Sequence, residues 1–145
     1  MTEAGACVFC DIRDGRAPAH IVMEDELSLA FLDIQPLAEG HCLVVPRRHV
    51  RWWHELDAAE TASLFHVART VAGRLMEALK PDFVTLYIRG RRVPHTHVFL
   101  VPAYPGDPVD RFFHTLEGFQ ESAPRLASLR EPVDMLALAD RLRRP

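Results

Sequence analysis

Residues 93–102 read VPHTHVFLVP, and both the fold and the chemistry of the chain turn on how that stretch is placed. It reads as a strand from about Pro94 to Val101. Alternate side chains of a strand share a face, so His95, His97 and Phe99 form one row, with ~6.6 Å between successive members at ~3.3 Å per residue. The row presents two imidazoles and then a benzene ring.

Upstream of a basic turn, Phe83 to Ile88 reads as the preceding strand. Before that the apolar pattern has helical period: Ala58, Ala62, Phe65, Ala68 and Ala72 share a side, joined by Leu64, Val71, Leu75, Met76 and Leu79. Asp57 with Glu60 three residues later fits a capping box, and Pro81 closes a helix of about six turns expected to pack on the sheet. Earlier still, the short runs Ile21 to Met23, Leu27 to Leu32 and Cys42 to Val45 read as strands. The turn-rich segments MEDE (23–26) and DIQPLAEG (33–40) separate them, which predicts an antiparallel meander. Beyond Tyr104, Asp107 and Pro108 offer a helix start, and residues 111–121 and 133–143 read as helical around a break at Pro124.

The 145 residues suit one compact domain, and 48% hydrophobic with 26% charged residues is ordinary for a globular protein with a real core. No run of about 18 apolar residues marks a membrane span, and the N-terminus MTEAGACVFC lacks the pattern of a secretory signal. The expected compartment is therefore the cytoplasm. A net charge of −3 argues against a general nucleic-acid binder. Positive charge is nevertheless dense at Arg47, Arg48 and Arg51, and again at Arg89, Arg91 and Arg92, which leaves room for a focused anion site.

Of the three cysteines, Cys7 and Cys10 sit in CVFC, the step that lets two thiolates grip one tetrahedral ion from a tight turn. The best remaining ligand candidates are His49, after VPRRH, and His95. A Cys₂His₂ set would clamp the N-terminus, the exit of the third strand and the histidine strand around a structural zinc. A redox pair or two unconnected thiols are the alternatives, although no thioredoxin-like pattern follows the motif. Cys42, alternating with Val44, reads as core.

The series CVFC (7–10), LAFLDIQPLAEGHCLVVPRRH (29–49), a long helix and VPHTHVFLVP (93–102) resembles the histidine-triad (HIT) superfamily, in a zinc-carrying branch with a divergent H-x-H-x-F triad. The resemblance covers roughly Cys7 to Pro102. It implies an α+β fold of HIT type: an antiparallel sheet of about five strands, a long packing helix and a C-terminal helical extension, assembled as a homodimer. Residues 1–105 are then the HIT domain, and residues 106–145 its C-terminal helical extension.

The resemblance further implies a nucleotide hydrolase or nucleotidyltransferase that cleaves at the α-phosphate through a nucleotidyl-histidine. His97 matches the nucleophile. Cys7, Cys10, His49 and His95 match the zinc ligands. Asp33 matches the carboxylate that receives the ribose hydroxyls, Phe31, Ile34 and Ile12 resemble the apolar walls of the base pocket, and His41 matches a position close to the phosphates. His54, His66 and His114 have no matching role.

Two departures stand out. Phe99 occupies the place of the third triad histidine, and benzene neither donates a hydrogen bond nor shuttles a proton. The segment YIRGRRVPH (87–95) is shorter than the family's small-residue loop and offers arginines, of which Arg91 and Arg92 are candidates for binding substrate phosphates. The alternative is a HIT-fold module, weakened in catalysis by Phe99, that binds nucleotides or regulates. A third possibility, a DNA-repair enzyme of the same superfamily, is disfavoured by the acidic balance.

Overall fold

A computed structural model of the chain describes residues 7–144; residues 1–6, where a secretory leader would begin, and Pro145 lie outside it. The chain divides into two compact units, one ending at Val109 and the other beginning at Asp110. No helix among the described residues is long and apolar enough to cross a membrane.

The first unit contains α1 (Val8–Arg13), β1 (Ile21–Glu24), β2 (Ser28–Leu32), β3 (Cys42–Pro46), α2 (Ala58–Leu79), β4 (Phe83–Ile88) and β5 (Val98–Ala103). Its five strands form one antiparallel sheet in the order β1-β2-β3-β5-β4. The fold is α+β, as the sequence predicts. Strands β2 and β3 are buried along nearly their whole length, because both faces of the sheet are covered. Ala30, Cys42, Val44, Val98 and Leu100 face α2 through Leu64, Val67, Ala68, Val71 and Leu75. The alternate residues Leu29, Phe31, Leu43 and Val45 point the other way, onto Cys7 and Phe9 at the start of α1. Period-two patterning thus divides the unit into a helix face and an α1 face, and His97 and Phe99 fall on the second.

Helix α2 starts as its sequence predicts. The Glu60 N–H donates to Asp57 Oδ1 at 2.8 Å, and the Asp57 N–H donates to Glu60 Oε2 at 3.0 Å. Glu60, itself buried, also receives Arg48 in a two-point pair at 2.6 and 2.7 Å. The packed face differs from the expected one. Phe65 and Met76 are exposed while Val67 is fully buried. The positions 64, 67, 68, 71 and 75 form the ridge that lies on the strands, and residues 65 and 76 project about 100° away from it.

The histidine stretch departs further, because β5 begins at Val98 and His95 to His97 precede it. The pairing with β3 runs from Leu100–Cys42 to Val98–Val44 and stops there. Continuing it would bring the chain to Pro46, which has no N–H to donate. The Thr96 N–H turns instead to the Val50 carbonyl at 2.7 Å. The main-chain anchor of the histidine stretch is therefore the segment after β3 and not the β3–β5 ladder.

The second unit contains most of α3 (Pro108–Ser122), a 3₁₀ stretch (Pro124–Arg130) and α4 (Pro132–Leu142). Pro124 ends one helix and opens the 3₁₀ stretch, where the sequence predicts a break. Phe112, Leu116 and Phe119 form an exposed apolar stripe on α3.

Gly40, just before β3, has φ +84°, and a Cβ there would lie 2.6 Å from Leu79 Cδ1 and 2.8 Å from Leu75 Cδ2. Gly40→Ala is expected to destabilise the fold by about 2–4 kcal/mol through left-handed strain and overpacking. Gly73→Ala, inside α2 with open space around its Cα, should stabilise it by about 0.5–1 kcal/mol. Urea unfolding of both variants checks the pair, and equal effects would contradict the packing described at Gly40.

Candidate active site and metal centre

Cys7 caps the N-terminus of α1 and Cys10 lies almost one turn further on, so both thiols face the same side of this short helix. Against them stand His95, wholly buried, and His49, exposed at the exit of β3. His95 Nδ1 lies 3.5 Å from Cys7 Sγ and 3.6 Å from Cys10 Sγ, and His49 Nδ1 lies 3.3 Å from Cys10 Sγ. The four ligand atoms are all within 4.8 Å of one another. A tetrahedral zinc with Zn–S near ~2.3 Å and Zn–N near ~2.05 Å sets sulfur and nitrogen ligands ~3.5 Å apart.

The tautomer fits as well. His95 Nε2 is 2.9 Å from the Pro46 carbonyl, which can only accept, so Nε2 carries the proton and the Nδ1 lone pair points at the sulfurs. Burial lowers the His95 pKa to about 4 and, with the neighbouring Cys7 thiol, pushes that of Cys10 up to about 11. A buried neutral imidazole and two adjoining sulfurs make a donor set that suits zinc, which would hold the thiols as thiolates.

Next to this cluster lies a cavity of about 530 Å³ on the α1 face. Phe31, Ile12 and Ile34 line it, with Ile34 largely exposed at its mouth. Phe9, Leu43 and Val93 are also part of the apolar lining, and the sequence reading missed them. Phe9 carried a usable signal, since it lies between the two cysteines on a helix of six residues with little choice of direction.

Among the described residues the polar side chains lining the cavity are Asp33, Gln35, His41, Arg92 and His97. Arg91 does not line it; this residue is exposed on the turn, so only one of the two expected arginines is brought to the site.

His97 Nδ1 lies 2.7 Å from the carbonyl of His95, so Nδ1 carries the proton and the lone pair is on Nε2. Burial lowers its pKa, and the imidazole is neutral near pH 7. Its ring packs 5.1 Å from Phe9 and 4.8 Å from Phe99. Phe99 in turn stacks on Tyr87 at 4.5 Å with 9° between the planes. Asp33 Oδ1 accepts the Gln35 N–H at 2.7 Å, which closes the turn after β2. Its Oδ2 stands 3.7 Å from His41 Nε2, a separation too long for a hydrogen bond. His41 Nδ1 accepts the Leu37 N–H at 3.1 Å, so Nε2 carries a proton, and that buried group has no partner.

Comparison with known proteins agrees with this geometry. The family model described as HIT domain matches residues 14–106. An uncharacterised HIT-like protein of Methanocaldococcus jannaschii is 37% identical over 107 residues, spanning 70% of this chain and 81% of that protein. The adenosine 5′-monophosphoramidase of Saccharomyces cerevisiae is 35% identical over 106 residues, spanning 70% of this chain and 65% of the yeast protein. Among solved structures, a zinc-bound histidine triad family protein from Mycobacterium smegmatis superposes with a TM-score of 0.66 at 34% identity, covering 71% of this chain and 78% of that one.

The cluster is expected to take up one zinc ion per chain, measured by elemental analysis after dialysis against zinc. Cys7→Ser and His95→Ala should each abolish stoichiometric binding. Zinc at a thousandfold excess over its dissociation constant should stabilise the fold by about 4 kcal/mol. Full zinc content in both variants would remove the assignment.

Proposed function

The chain belongs to the HIT family, and on that footing we propose that it is a nucleotide hydrolase or nucleotidyltransferase acting at the α-phosphate of a nucleoside phosphate conjugate, with His97 as the nucleophile. The observation that carries the proposal is the state of His97: a neutral imidazole on the cavity wall, its Nδ1–H tied to the His95 carbonyl and its Nε2 lone pair free. The yeast relative's name makes adenosine phosphoramidate the first substrate to assay.

In this reading the nucleoside base lies against Phe31, Ile12 and Phe9, and Asp33 receives the ribose hydroxyls. Arg92, at the cavity rim, steers and neutralises the phosphate, and His41 lies behind Asp33 near the phosphate path. Nε2 forms a bond to phosphorus as the leaving group departs, and water or another acceptor then resolves the nucleotidyl-histidine. Zinc held by Cys7, Cys10, His49 and His95 would be structural, because four protein ligands leave no position for substrate. Through His95 it would stiffen the carbonyl that orients His97.

Strand β4 is at a sheet edge, and its Phe83 and Leu86 are exposed, which supports assembly as a homodimer through that edge. The helical unit from Asp110 is read as an extension of the HIT domain, and the cytoplasm as the working compartment. Phe99 favours one competing reading, a nucleotide-binding module without turnover.

The two readings separate by kinetics with adenosine 5′-phosphoramidate and with an adenylyl anhydride. His97→Ala should lower turnover by about 10³-fold or more. Acid quenching of the wild-type reaction should trap adenylate on His97, located by mass spectrometry. Asp33→Ala should raise KM more than it lowers kcat. Nucleotide binding with no turnover on either substrate would leave the module reading in possession.

A further inference from the structure

The cavity beside His97 contains a nucleophile and a cation, and among the described residues that line it no side chain is placed to hand a proton to whatever leaves. The residue two places beyond the nucleophile is Phe99, which packs 4.8 Å from His97 and has no proton to give. His41, the other histidine of the cavity, is a neutral imidazole, since its Nδ1 accepts the Leu37 N–H. Its Nε2–H, buried 3.7 Å from Asp33 Oδ2 without a hydrogen-bond partner, can offer a hydrogen bond and has no surplus proton to give. Arg92 carries a guanidinium, which stabilises an anion and does not act as an acid. Tyr87 stacks on Phe99 and does not line the cavity. Gln35 can offer a hydrogen bond and no transferable proton.

From this we infer that the site selects substrates whose leaving group departs as a stable anion. The class is phosphoric or carboxylic anhydrides of a nucleoside monophosphate and esters of acidic phenols, in preference to phosphoramidates. The inference rests on His97 being the nucleophile and narrows the substrate class for that same site.

The chemistry runs as follows. The Nε2 lone pair forms the N–P bond, and the P–O bond to the leaving group breaks with its electron pair remaining on oxygen. A phosphate or carboxylate bears that charge unaided, with Arg92 as its electrostatic partner. Water then attacks phosphorus, the N–P pair returns to Nε2, and the mononucleotide is released with loss of one proton to solvent. When the bond broken is P–N, the same electron pair would reside on a strongly basic amide nitrogen, which must be protonated as it leaves. A positioned general acid is worth ~10²-fold or more in such a step, and position 99 does not supply one.

The test compares kcat/KM for three substrates sharing one adenylyl group: the p-nitrophenyl ester of AMP, diadenosine triphosphate, and adenosine 5′-phosphoramidate. Wild-type protein should cleave the first two at least ~10²-fold more efficiently than the third. Phe99→His and Phe99→Gln extend the comparison. The histidine should raise phosphoramidate cleavage at least tenfold more than it raises cleavage of the p-nitrophenyl ester. Glutamine, which donates a hydrogen bond without releasing a proton, should give a smaller differential.

Equal efficiency on all three substrates, or a preference for the phosphoramidate in the wild type, would overturn the inference while leaving His97 as nucleophile. Failure to cleave any of the three would overturn both. The wild-type comparison decides even where the variants do not fold.

Discussion

The hydrogen bond from His95 Nε2–H to the Pro46 carbonyl organises the site. It fixes which nitrogen of His95 faces Cys7 and Cys10. The same residue's own carbonyl then accepts from His97 Nδ1, which fixes the lone pair on the nitrogen that faces the cavity. Two bonds in series therefore assign two tautomers, one suited to a metal and one to phosphorus. Thr96, between the two histidines, adds a main-chain bond to Val50, so the stretch is fastened at the last residue of β3 and again in the segment after it. Proline at position 46 makes this arrangement available by ending the ladder and leaving its carbonyl to a side chain.

Burial on both faces of the sheet lets so small a unit carry a site. Core packing against α2 uses one set of alternate residues, and the opposite set is released to the wall of a cavity. Phe9 belongs to both the wall and the core beneath it, since its ring touches Phe31 at 5.6 Å, His95 at 5.8 Å and His97 at 5.1 Å. The ring keeps water from one side of both imidazoles, consistent with their lowered basicity.

Much of this was legible in the sequence because it depends on local rules. The capping box at Asp57 and Glu60, the turn at Asp33 and the strand periods each follow from a few adjacent residues. The metal set was legible as candidates, since CVFC restricts where two thiols can point. What escaped depends on neighbours distant in the chain. Val67 rather than Phe65 meets the sheet because of how α2 lies across β2, β3 and β5, which a single helix cannot report. The late start of β5 reflects Pro46, some fifty residues earlier. Arg92 reaches the cavity and Arg91 does not, a difference set by the turn's conformation, and charge alone does not encode it.

The carboxylate of Glu60 serves two structures at once. It closes the first turn of α2 and receives Arg48, the residue preceding His49. Held near a pKa of about 2 by the guanidinium, it remains ionised where an unfolded glutamate, near ~4.3, would be half protonated. This contribution to folding is complete above about pH 5 and fades as acidity carries the solution down toward the folded value. Acid would therefore loosen two elements through one carboxyl group: the first turn of the longest helix and the strap that leads from Arg48 to His49.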